Sequence, residues 1–136
     1  MSSMHRVLEG DVLVHHLTED ERLIDATLLA RHGRSARTLV KEGPLRLTIM
    51  GIAAGGVLPP HRTDAPVTVH LLEGEVTFRA LGREYRLTTG DVLVVAPGVE
   101  HSARSESGGV FLLTVVYVDA VPGQITQPAA DDTGTP

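Results

Sequence analysis

The chain has 136 residues, 42% hydrophobic and 21% charged, which predicts a single domain with enough apolar material for a real core. A formal net charge of −5 gives no electrostatic footprint for nucleic acid or an anionic membrane, so neither is an expected partner. The absence of cysteine excludes disulfides, thiol nucleophiles and thiolate metal sites together.

The start, MSSMHRVLEGDV, lacks the basic lead and apolar centre of a signal peptide, and no apolar run matches a bilayer in length, so a cytoplasmic location is expected. Val12, Leu13 and Val14 read equally as a short helix or an edge strand. Thr18 with Glu21 three residues on has the form of a capping box. Leu23, Ile24, Thr27, Leu28 and Ala30 then recur at helical spacing, and Gly33 is a stop. One amphipathic helix over about 19–31, in an N-terminal segment 1–34, is the expectation. From Ala36 the period changes. Strands are expected at 36–40, 45–53, 67–78 (broken at Glu73-Gly74 into a solvated hairpin), 79–87 with a reversal near Leu81-Gly82, 91–95, 102–105 and 110–118. Short apolar strands punctuated this often by Gly and Pro point to a β-sandwich or barrel over residues 35–118. Residues 119–136, rich in Pro, Gly, Asp and Thr, read as a mobile tail.

Two stretches carry a motif pair. Gly55 is followed after five residues by His61, then Thr63, Val67 and Gly74; Gly90 is followed by Ala96, Gly98, His101 and Ser105. This spacing resembles the paired motifs of the cupin superfamily. The resemblance implies an all-β fold, an antiparallel double-stranded β-helix or jelly-roll barrel, to which the periodicity above adds one N-terminal amphipathic helix. In family members that hold metal, two His and a Glu of the first motif and a His of the second bind a divalent ion. Here His61 and His101 keep two of those places, Thr63 and Val67 fill the others, and Ser105 stands where Asn is usual.

The candidate ligand pocket is therefore His61, Thr63, Val67, Val69 and His101, with Leu47 and Ile49 as further apolar wall and Met50 of uncertain phase. His61 and His101 are the candidate metal ligands. His70 is a weaker third, because strand alternation turns it away from the face of Val67, Val69 and Leu71. Arg62 beside His61 reads as an exposed loop residue that could steer an anion. A divalent ion (iron, nickel, manganese or zinc) is the cofactor the resemblance implies; two imidazoles alone hold one weakly, and no cofactor is the other reading. Three functions stay open: a binder of a small organic ligand, a metal-dependent oxygenase, isomerase or lyase, and metal-free acid–base catalysis by the two imidazoles. Cupins of this size resemble proteins that pair as homodimers, which covers a sheet edge.

Overall fold

The computed structural model describes residues 12–17 and 24–117. Helix α1 (Ala26–His32) precedes strands β1 (Arg34–Glu42), β2 (Leu45–Ile52), β3 (Val57–His61), β4 (Val67–Ala80), β5 (Arg83–Thr88), β6 (Val92–Val95), β7 (His101–Arg104) and β8 (Gly109–Val116). Every ladder is antiparallel. A first sheet runs β1-β2-β8-β4-β6 and a second β3-β7-β4-β5, with β4 common to both. The sheets curl into the barrel that the motif pair implied. Among the described residues no helix is long and apolar enough to cross a membrane.

The helix is shorter than its periodicity predicts. It begins at Ala26, where the Asp25 carboxylate accepts from the amides of Thr27 and Leu28 at 2.9 and 3.0 Å and so acts as the N-cap. Ile24 precedes the helix and packs with the apolar cluster around Leu39, Val40 and Ile49. The helix itself buries no residue, so its amphipathic pattern is weakly used. Gly33 ends it as expected, with φ 79° and its amide bonded to the Leu29 carbonyl. Thr18 and Glu21 of the expected capping box, and the expected tail 119–136, lie outside the described residues.

Strand β4 is the second difference. The sequence around Glu73-Gly74 reads as a hairpin, yet β4 runs unbroken from Val67 to Ala80. Its first half pairs with β8 and β6, its second with β7 and β5, and a register shift between Leu71 and Glu73 marks the crossing. Gly74 makes the bend, at φ 81°; a Cβ there would lie 2.1 Å from the Gly108 carbonyl oxygen. That clash and the left-handed backbone together require glycine. Glu75 is consequently not a solvated turn residue. It is buried, and its Oε2 accepts from the amides of Glu106 and Ser107, both at 2.8 Å, pinning the loop between β7 and β8.

Strand parity divides the apolar residues into two clusters. Val67, Val69 and Leu71 of β4 face inward opposite Val115, Leu113 and Phe111 of β8, in the main core. Phe78 and Phe111 meet edge to face there, with ring centroids 5.6 Å apart. Full burial of each such side chain contributes about 1.5–3 kcal/mol. The second cluster lies on the outer face of the first sheet, where Leu39, Val40, Ile49, Leu45 and Leu47 pack with Leu17 and Ile24. The outward face is therefore partly covered by the N-terminal segment. Further along it, Val92 and Val94 of β6 are exposed.

Candidate functional site

No strand is among those expected at VLPPH, where two successive prolines lack two ladder donors. The structure places β3 there, at the edge of the second sheet, and the ladder slips between Leu58 and His61. An edge strand tolerates this loss. Its consequence is chemical: His61 becomes the direct cross-strand partner of His101 on β7. Their ring centroids are 4.4 Å apart at an interplanar angle of 58°.

Each ring is held by its own chain. Nδ1 of His61 lies 3.2 Å from the Pro59 carbonyl oxygen, and Nδ1 of His101 lies 3.1 Å from that of Val99. A carbonyl only accepts, so Nδ1 carries the proton in both rings and the neutral imidazole presents Nε2 as a lone pair. The sequence offers no third group to orient the pair; the structure supplies two backbone carbonyls. His101 is 4% exposed. Burial is the main cause that pushes its pKa below the ordinary imidazole value, with a smaller push from His61, against opposing pulls from the Val99 carbonyl and Glu100. Near neutral pH His101 is accordingly uncharged. It can accept a hydrogen bond from a ligand hydroxyl or amide, or take up a proton.

The pair lies on the wall of a cavity of about 400 Å³ between the two sheets. β1 contributes Arg34, Ala36 and Thr38, which alternate along the strand and lie opposite Ile52, Met50 and Thr48 of β2. Met50, Leu58, Phe78, Phe111 and Leu113 make the apolar lining, and Thr48 adds a hydroxyl. Of the residues singled out in the sequence, His61, His101 and Met50 line this space. Val67 and Val69 face inward but are closed into the core, while Thr63 is buried away from the wall. Leu47 and Ile49 face the other way, into the outer cluster, because β2 carries apolar residues on both faces. His70 is exposed and pairs across its ladders with Leu112 and Val92. Arg62 is exposed and off the wall; the cation that lines the cavity is Arg34. His15 is half-buried and not at the cavity, and His5 lies outside the described residues.

The donor set does not fit the metal that the motif pair implies. Among the described residues no third His, Cys, Asp or Glu joins His61 and His101. Thr63 Oγ1 is buried without a hydrogen-bond partner, but a neutral hydroxyl is a poor ligand for such ions and Val67 offers no donor at all. A mononuclear site of three or four protein ligands is not formed by these side chains.

The family profile described as the cupin domain matches residues 48–117. No curated protein matches the chain. Among solved structures, a conserved protein of unknown function from Streptococcus pyogenes is 22% identical, with a TM-score of 0.62, over 88% of this chain and 98% of that one. An RmlC-like cupin from Shewanella frigidimarina is 24% identical, with a TM-score of 0.61, over 64% of this chain and 78% of that one. Salicylate 1,2-dioxygenase from Pseudoaminobacter salicylatoxidans, solved as adducts with gentisate, is 19% identical, with a TM-score of 0.65, over 71% of this chain but 31% of that larger one. At such identities these likenesses speak for the fold. With the profile match over more than half of its length, the chain belongs to the cupin family.

Proposed function

We propose that the protein binds a small organic ligand in the cavity beside His61 and His101, without a tightly bound metal. The observation that carries this reading is the donor count at an otherwise largely apolar wall: two imidazoles, with Thr63 and Val67 where family members place further ligands. A cavity of about 400 Å³ is of the size that takes a small molecule. The imidazoles then act as acceptors that orient the ligand, through Nε2 lone pairs fixed by the Pro59 and Val99 carbonyls. The homodimer expected from the sequence stays part of this proposal; sedimentation velocity showing a single monomeric species would remove it.

One observation favours a metal-dependent enzyme as the second reading. Imidazoles whose Nδ1 donates to a carbonyl are oriented as ligating imidazoles usually are. Elemental analysis of protein purified without added ions separates the two. The binder contains well below one equivalent of iron, nickel, manganese or zinc. A stoichiometric ion that disappears in both His61→Ala and His101→Ala would overturn it.

A further inference from the structure

We infer that the cavity selects small organic anions, monocarboxylates with an apolar body, and that Arg34 is the residue that binds the carboxylate. This rests on the cavity being a ligand site, as proposed above. Arg34 is the one permanently charged side chain among the lining residues, in a chain whose net charge is −5, so a positive wall does not follow from overall composition. It takes part in neither of the ion pairs Arg79–Glu84 and Arg104–Glu84. Its Nη1 donates to the Val57 carbonyl at 3.2 Å, which anchors the guanidinium to β3. A guanidinium has five N–H donors in a fixed fork, so donors remain for a carboxylate, the anion whose geometry that fork matches.

Position adds to the argument. Arg34 is exposed, so its end of the cavity meets solvent, and a carboxylate there keeps part of its hydration. Met50, Leu58, Phe78, Phe111 and Leu113 offer nothing to a second charge, so the rest of the ligand is largely apolar, with Thr38, Thr48 and the imidazoles as its polar contacts. Val57, which anchors Arg34, and His61 are four residues apart on β3, at most roughly 13 Å along a strand. A carboxylate held at Arg34 thus directs its apolar body toward the imidazole pair.

The test is calorimetric titration with hexanoate, phenylacetate and the uncharged amide of each, on the natural protein, Arg34→Gln and Arg34→Lys. The carboxylates bind the natural protein about tenfold tighter than their amides, or more. Arg34→Gln removes that preference by weakening the carboxylates more than the amides, and Arg34→Lys retains only part of it. Equal affinity for acid and amide in the natural protein, or a preference that survives in Arg34→Gln, overturns the assignment of Arg34 while leaving the cavity a ligand site. Binding of neither acids nor amides overturns both.

Discussion

Replacing Glu75 with alanine removes the acceptor that organises the loop between β7 and β8. Oε2 of Glu75 receives the Glu106 and Ser107 amides at 2.8 Å and the Ser107 hydroxyl at 3.0 Å. The Ser105 hydroxyl has a single proton and gives it to the Glu75 carbonyl oxygen at 2.5 Å, so its 3.2 Å approach to Oε2 adds no further bond. Three charge-assisted bonds are therefore lost, and two amides on a part-buried loop are left to find water. We expect a cost of about 2–4 kcal/mol. In a chain of this length that is a fall in Tm of about 10 °C. Glu75→Gln keeps an oxygen in place and loses only the charge, for about 1–2 kcal/mol. The amide of Ser107 is the largest cause holding the Glu75 carboxyl below the ordinary carboxylate range; burial opposes it, and the Ser107 hydroxyl and the Glu106 amide lower it further. A depressed folded pKa gives stability that is present above the unfolded pKa and lost as pH falls through the folded one. The gap between the natural protein and Glu75→Gln should then close below about pH 4.5. Urea unfolding followed by circular dichroism across pH 3–7 measures both quantities, and amide exchange at Glu106 and Ser107 locates the change. A cost below about 0.5 kcal/mol for Glu75→Ala, or a gap that stays constant with pH, would refute this account of the loop.

Other expectations are checked with the same unfolding assay. Gly74→Ala should cost about 3 kcal/mol or more, since it combines a φ of 81° with a Cβ driven into the Gly108 carbonyl; a near-neutral result would mean that the bend in β4 is misplaced. His101 has a lowered folded pKa, so the folded state binds fewer protons than the unfolded one as pH drops below the ordinary imidazole value. Stability should decline from about pH 6.5 downward until the folded pKa is passed, and that portion of the decline should vanish in His101→Asn. Strand parity on β6 is tested by neighbours: Val94→Ser, on the exposed face, should change stability by less than about 0.5 kcal/mol, and Val95→Ser, in the core, should cost about 2 kcal/mol. Equal costs would contradict the register of β6 on β4.

What the sequence discloses follows from spacing and from turn chemistry. Gly55, Gly74, Gly90 and Gly98, the glycines of the motif pair, all adopt positive φ, between 80° and 93°. Their positions constrain the strand ends, and so His61 and His101 can be recognised before any coordinates. Local reading fails where tertiary context reverses a local preference. Glu-Gly-Glu suggests a solvated reversal, but a bend serving two sheets needs the same glycine, and the amides of a neighbouring loop accommodate the carboxylate of Glu75. Pro59-Pro60 argues against a strand everywhere except at an edge. In β2 both faces are apolar, and the face with Leu45, Leu47 and Ile49 turns outward because the N-terminal segment covers it. Arg34 cannot be found by pattern at all, since a charged residue alternating with Ala36 and Thr38 looks like any solvent-facing strand position.

The continuity of β4 also decides which part of the container can yield. One covalent strand closes both sheets along that side, so no seam exists there for the walls to part. The opposite rim is made of β1 and β3, terminal strands of their sheets, and β3 carries two prolines and an interrupted ladder. The ladders hold least at that rim, and there the hydrogen bond from Arg34 to the Val57 carbonyl bridges β1 to β3. The side chain assigned to the carboxylate is thus also the one that ties the two rim strands together.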